Sequence, residues 1–371
     1  MTGQAEKLRR WAVTKTEARQ RGRLRRKAVV GAVIAAAAFA AAACSSSAGS
    51  SAGGAVASAS AVTSVTIAYP TLSIHILPLQ LGITDGIFAK HHLSVKLVSL
   101  SNSQTVVAGL ASGSVQYAGV SAAGLLTAAS KGANVESVLA YDNGVPLQLV
   151  VSKAFADQHS LRPGADIATV VKDLQHTTLG VNGLTDEGVA RQLLNSYGAD
   201  PSTVRYAQLS SAAAQLTELE KGGIDWILLS PPNSYQLQST NAGYILGSAA
   251  NIQSWPSDIS NFVLAADPAY AAAHATVTKE LVAAVNEAVA FVAKNPSQAE
   301  SVASQEFPSV SRADLLESIK GIAWAVDGTQ TQQLWQRTIA FNAKTGSLDS
   351  GTTAVEGKTW TNEYYTAASG S

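Results

Sequence analysis

The residues of this chain best suited to contact another molecule are hydroxyl and amide groups gathered where short apolar runs end. They are Tyr69, Thr71, Ser73 and His75; Ser101, Asn102 and Ser103; Ser121 with Ala122; Tyr141 and Asn143; Asn182, Gly183 and Thr185; Ser210; and Ser230 with Pro231. Such groups donate and accept hydrogen bonds but are not activated nucleophiles, so the chemistry they suit is recognition of a small polar solute. Where such a stretch opens a helix, as at 101–103 and 183–185, free backbone N–H groups and the helix dipole favour a polar or anionic group. The same residue types are also the commonest helix caps, so capping stands beside contact as a role for each. His75 is a candidate donor, and Tyr69, Tyr141 and Trp255 are candidate aromatic walls for a ring or alkyl chain. Asp186 and Glu187 read as acidic residues favoured by a helix start, and they would repel an anion if they faced a cleft.

Several chemistries find no support in the sequence. There is no Gly-x-Ser-x-Gly elbow, no nucleotide-type glycine loop and no pair of histidines spaced for a metal. His91 and His92 are adjacent, and on a strand they would point to opposite faces and could not chelate one ion. No catalytic residue, metal site or cofactor is expected. The candidate loops hold no Arg or Lys to settle a full negative charge, which favours a neutral or weakly polar organic solute.

The elements that would position these loops are legible from periodicity. Val62 to Tyr69 and Leu93 to Val98 read as strands, Ile76 to Ile83 as a helix, and Gln104 to Ser112 as a helix stopped by Gly113 ahead of a strand from Val115 to Val120. Leu110, Gly113, Val115, Tyr117, Val120 and Ser121 recur as Leu219, Gly222, Ile224, Trp226, Leu229 and Ser230, each 109 residues later. A looser pair joins 65–69 to 178–182. Two copies of one βαβ plan predict two similar lobes, each a mainly parallel sheet flanked by helices, with Tyr117 and Trp226 in their cores. The stretch from Tyr141 to Pro146 reads as a turn leaving the first lobe, Asp258 as a turn former, and Asn261 to Ala265 as a returning strand. Helices are expected over 278–294, 297–306, 311–322 and 331–343, packed back on the first lobe.

Charge is distributed unevenly. The first 43 residues hold ten Lys or Arg and two Asp or Glu, which leaves 16 basic against 24 acidic residues and a body near −8. That argues against a nucleic-acid partner. The basic stretch Arg19 to Lys27 precedes an apolar run of 16 residues, Ala28 to Ala43, shorter than the roughly 20 needed to span a bilayer. Cys44, the single cysteine, closes that run after three alanines and before serines. This resembles the lipobox of bacterial lipoproteins, which implies cleavage, lipidation of Cys44 and attachment to the extracytoplasmic face of the cell membrane. Arg25-Arg26 leaves both the general and the twin-arginine export routes open. Residues 45–61, without bulky apolar or charged groups, read as a tether of roughly 20–25 Å reach. The expected organisation is a signal segment at 1–44, the tether at 45–61, first-lobe chain at 62–145, a second lobe at 146–254, and a return to the first lobe at 255–371.

From Val65 to Ile322 the chain resembles the solute-binding proteins of nitrate, sulfonate, taurine and pyrimidine-precursor importers, a branch of the type II periplasmic-binding fold. The resemblance is carried by Val65 to Pro70, by Leu81 to Leu97 with its Gly86-Ile-Phe88 turn, by Leu110 to Ser121, and by Leu219 to Pro232 with its Gly223-Ile-Asp225 and Pro231-Pro232. Ser114 and Gln116 stand where the family usually has an acidic pattern, and Thr84 to Phe88 weakens its Lys-Glu-x-Gly-Phe pattern. The resemblance implies a monomeric α/β protein that closes two lobes on a solute and hands it to an ABC permease and its ATPase. Alternatives are a fold-related enzyme of pyrimidine-precursor synthesis, whose cysteine-rich motif is missing here, and a solute-sensing lipoprotein.

Overall fold

The computed structural model describes residues 62–365 apart from 71, 101–102 and 183, with the backbone only at 103–104 and 184–185. The signal segment, Cys44 and the tether therefore lie outside the described residues.

Eleven strands follow in chain order: β1 (Thr63–Tyr69), β2 (Leu93–Ser99), β3 (Tyr117–Ser121), β4 (Glu136–Asn143), β5 (Gln148–Ser152), β6 (Thr178–Val181), β7 (Arg205–Gln208), β8 (Trp226–Leu229), β9 (Gly243–Gly247), β10 (Ser260–Ala266) and β11 (Ala323–Trp324). They form two sheets, ordered β11-β4-β10-β3-β1-β2 and β7-β6-β8-β5-β9. β1 pairs in parallel with β2 and β3, as β6 does with β7 and β8. In the first sheet β10 runs against both β3 and β4, and the edge strand β11 runs against β4; in the second, β5 runs against β8 and β9. β10 and β5 are the strands that the chain enters on crossing between lobes, and each is an antiparallel insert among mainly parallel strands.

The 109-residue repeat is real in three dimensions. Gly113 and Gly222 both take left-handed backbone (φ +70° and +74°) after their helices, a conformation that glycine adopts without strain. Tyr117 pairs with Ile67 of β1 as Trp226 pairs with Leu179 of β6, and both aromatics are fully buried. Each finds a partner for its polar tip, the Tyr117 hydroxyl with Thr278 Oγ1 at 2.8 Å and Trp226 Nε1 with Thr177 Oγ1 at 2.9 Å. Burial pushes the Tyr117 hydroxyl up to about 12.

Apolar clusters cover both faces of each sheet. In the first lobe, Ile74 to Leu81 and the amphipathic helices Ala275–Lys294, Pro296–Glu306 and Arg312–Lys320 cover one face. Ser103–Ala111, Ala122–Ser130 and Trp335 cover the other. In the second lobe, Lys153–Gln158, Ile167–Asp173 and Leu184–Ser196 face Ala212–Glu220 and Asn233–Ser239 across the sheet. The expected tail helices form, and Gln332–Lys344 does more than pack on the first lobe: Trp335 and Ile339 join the first-lobe core while Phe341 packs against the second. Among the described residues no helix is long and apolar enough to cross a membrane.

Two local expectations are corrected. Tyr141, Asp142 and Asn143 continue β4, and the turn begins at Gly144 (φ +83°), because Tyr141 is buried and Asp142 finds internal partners. His91 and His92 lie in the turn before β2, with His91 Nε2 2.9 Å from Glu287.

Glu136, at the start of β4, is buried, and its carboxyl is pushed up to about 7 by burial, with Glu363 and Asp267 adding repulsion. A raised carboxyl binds its proton more tightly in the folded chain, so its contribution is complete below about pH 4.5 and is lost as pH rises towards 7. Glu136→Gln is therefore expected to be more stable than the parent at pH 8 and to flatten the fall of melting temperature between pH 5 and 7. Parallel melting curves whose separation does not change with pH would contradict this.

Candidate functional site

Two chain crossings join the lobes, at 144–147 and at 248–259. They are tied together by the Gly144 N–H donating to the Ile259 carbonyl at 2.8 Å. Above them the carboxyl ends of β1, β3, β6 and β8 face one another, the position at which open parallel sheets bind ligands. Two contiguous cavities occupy this cleft. The larger, about 940 Å³, is lined by Ser121, Asn261, Asn342 and Ser347 from the first lobe and by Asn182 and Asp186 from the second. The smaller, about 190 Å³, reaches between Leu72-Ser73 and the β8 exit at Ser230, Pro231 and Pro232, whose mutual peptide bond is cis. Leu147, Asn182 and Asp186 line both.

The floor is a buried polar network. His75 Nδ1 donates to Asp142 Oδ2 at 2.7 Å, and Asn261 Nδ2 donates to Asp142 Oδ1 at 2.6 Å. Asp142 is fully buried, and the His75 ring stacks on Phe262 at 5.2 Å. The network joins the segment after β1, the last turn of β4 and the start of β10, and so fixes both crossings to the first lobe.

The residues singled out by sequence separate into groups. Ser73, Ser121, Asn182, Ser230 and Pro231 come together around the cavities. Ser121 also caps its helix, accepting from the Gly124 N–H, and Ala122 is buried behind it. His75 is buried, lines neither cavity and is bonded to Asp142 rather than a free donor in a loop. Tyr141 and Trp255 are core residues of the first and second lobes rather than walls. Tyr69 is half-buried against the first core, Asn143 is half-buried at the end of β4, and Ser210 is exposed outside both cavities. Thr71, Ser101, Asn102 and Gly183 lie outside the described residues, as do the side chains of Ser103 and Thr185.

Sequence reasoning missed Asn261, Asn342, Gln215 and Leu147, and it treated Asp186 only as a cap. Asp186 does accept the Asn182 N–H at 3.0 Å, but it also lines both cavities, and burial raises its carboxyl above the usual range. Glu187 turns aside to Arg191 at 2.7 Å. Asn261 was within reach of inspection as the start of the expected returning strand. Asn342 carries no local signal, since only the fold of the C-terminal helix brings it to the cleft. Asp258, expected to form a turn, pairs with Arg337. Among the described residues no group of three or more His, Cys, Asp or Glu could hold a metal ion.

Comparison with known proteins places this arrangement. The family described as NMT1/THI5 like matches residues 73–299. No curated protein matches the sequence. Among solved structures, the chain is similar to the zinc-bound ligand-binding component of an ABC-type import system from Staphylococcus aureus. That likeness has 14% identity and a TM-score of 0.63, covering 82% of this chain and 99% of that one. It is similar also to the alkanesulfonate-binding protein SsuA from Xanthomonas axonopodis pv. citri bound to MOPS (15%, TM-score 0.58, 77% and 94%). The periplasmic nitrate-binding protein NrtA from Synechocystis PCC 6803 gives 16%, a TM-score of 0.58, and coverage of 78% and 83%.

Proposed function

Because the chain belongs to the NMT1/THI5-like family, we propose that it is the extracytoplasmic solute-binding component of an ABC importer and catalyses no reaction itself. The observation that carries this reading is the facing of two repeated βαβ halves across a cavity lined by polar groups from both. The first lobe draws on 62–145 and 255–371 and the second on 146–254. They close on solute by bending at the two crossings, so affinity depends on the closed population. Lipid on Cys44 holds the protein, as a monomer, at the outer face of the cell membrane, and the tether lets it reorient over the permease and ATPase.

Native mass spectrometry of the mature protein tests this directly: a non-covalently carried solute is expected, lost on unfolding and restored without chemical change. Co-purification with a permease and ATPase, and loss of uptake on deletion, separate delivery from sensing. Turnover of the carried solute would replace the reading with an enzymatic one.

A further inference from the structure

The chemical class of the solute follows from what the cleft leaves unpaired, and the inference rests on the solute-binding reading above. Asp186 forms no ion pair among the described residues, although it is partly withdrawn from water. Its carboxylate accepts from the Asn182 N–H and from the Gln215 side-chain amide, which offset part of the burial, but no cation meets it. The cavity linings supply one basic residue, Lys131, which is exposed and follows the far end of the Ala122–Ser130 helix. At 1.5 Å per residue Lys131 lies about 15 Å along the helix from the cap at Ser121. Residues 71, 101–104 and 183–185 include no charged type.

The amides point the same way. Asn261 Nδ2 donates to the Asp142 carboxylate, Asn342 Nδ2 to the Thr338 carbonyl at 2.8 Å, and Gln215 Nε2 to the Gly180 carbonyl at 3.0 Å. Each partner is an oxygen without a proton, so none of the three amides can be flipped. Each amide oxygen can therefore accept, while the second N–H of each nitrogen remains a donor, which Gln215 gives to Asp186. The cleft thus offers a carboxylate and amide oxygens, with hydroxyls that serve in either sense.

We propose that the cleft takes a solute bearing a cationic nitrogen, an ammonium or amidinium group, with Asp186 as its counter-ion. A sulfonate or nitrate in the same place would meet one unpaired negative charge and oriented acceptors.

The test is calorimetric titration of the mature protein with matched pairs of opposite charge: butylamine against butanesulfonate, and benzamidine against benzenesulfonate. Binding of a cationic member and not of its sulfonate partner is expected. Asp186→Asn, which keeps an oxygen for the Asn182 N–H, should weaken the cation about 10- to 100-fold, as befits loss of a charged hydrogen bond. Asp186→Glu should recover part of that loss. In the unaltered protein the cation should bind more weakly as acid protonates Asp186, a readout that needs no variant. Preferential sulfonate binding, cation binding unaffected by Asp186→Asn, or binding of neither series overturns the charge assignment. The carried-over solute seen by native mass spectrometry separately decides whether the cleft binds solute at all.

Discussion

Gly188→Ala is expected to weaken solute binding about tenfold or more while leaving the unliganded protein as stable as before. Gly188 sits inside the Leu184–Ser196 helix, where glycine costs about 1 kcal/mol relative to alanine. Its compensation is a close approach: a Cβ at this position would lie 1.6 Å from the Thr345 carbonyl oxygen. Thr345 ends the C-terminal helix that is anchored in the first lobe by Trp335, whereas Gly188 belongs to the second lobe. The contact is therefore made between lobes, and an alanine methyl forces the two backbones apart. Closure becomes less favourable, and affinity falls with the population of the closed state. The helix meanwhile gains propensity, so melting of the empty protein should hold or rise slightly. Titration with the native solute and small-angle scattering read the two effects. Unchanged affinity together with an unchanged radius of gyration would show that this contact plays no part in closure.

Asp142→Ala is expected to cost at least about 1–3 kcal/mol of folding stability, the range found when a buried hydrogen-bonding group is left without its partner. The carboxylate is fully buried and accepts from both His75 and Asn261, so its loss strands the buried His75 and the half-buried Asn261. Asp142→Asn keeps one acceptor and should lose about half as much. A double-mutant cycle with His75→Ala should be strongly non-additive, because the second change removes a donor already orphaned. Urea denaturation gives these values, and a loss below about 1 kcal/mol for Asp142→Ala would mean that water replaces the carboxylate without penalty.

The lobes were readable because their signals are local. A helix end, a left-handed glycine and a strand with a central aromatic lie within a dozen residues, and the second copy at a fixed spacing identified the plan. The cleft is a different kind of object. Asp142 looked like part of a turn because it precedes Asn143-Gly144, and the histidine that satisfies it lies 67 residues earlier. Trp255 looked like an aromatic wall, yet Ile252, Ile259 and other apolar neighbours draw it into the second core. The loop serines were located correctly at strand exits such as Ser121 and Ser230. Their chemistry depends on Asn261 and Asn342, whose orientation is set by acceptors that the sequence cannot display.

The placement of β10 also dictates an order of assembly. β3 and β4 do not pair with each other; each pairs with β10, which follows β4 by more than a hundred residues. A chain delivered amino end first cannot close the seam of its earlier sheet until residue 266 has emerged. The later sheet, drawn from the continuous run 148–247, has all its strands well before that. The half that is made first must wait, its central seam open, for the half made second to finish and send the chain back.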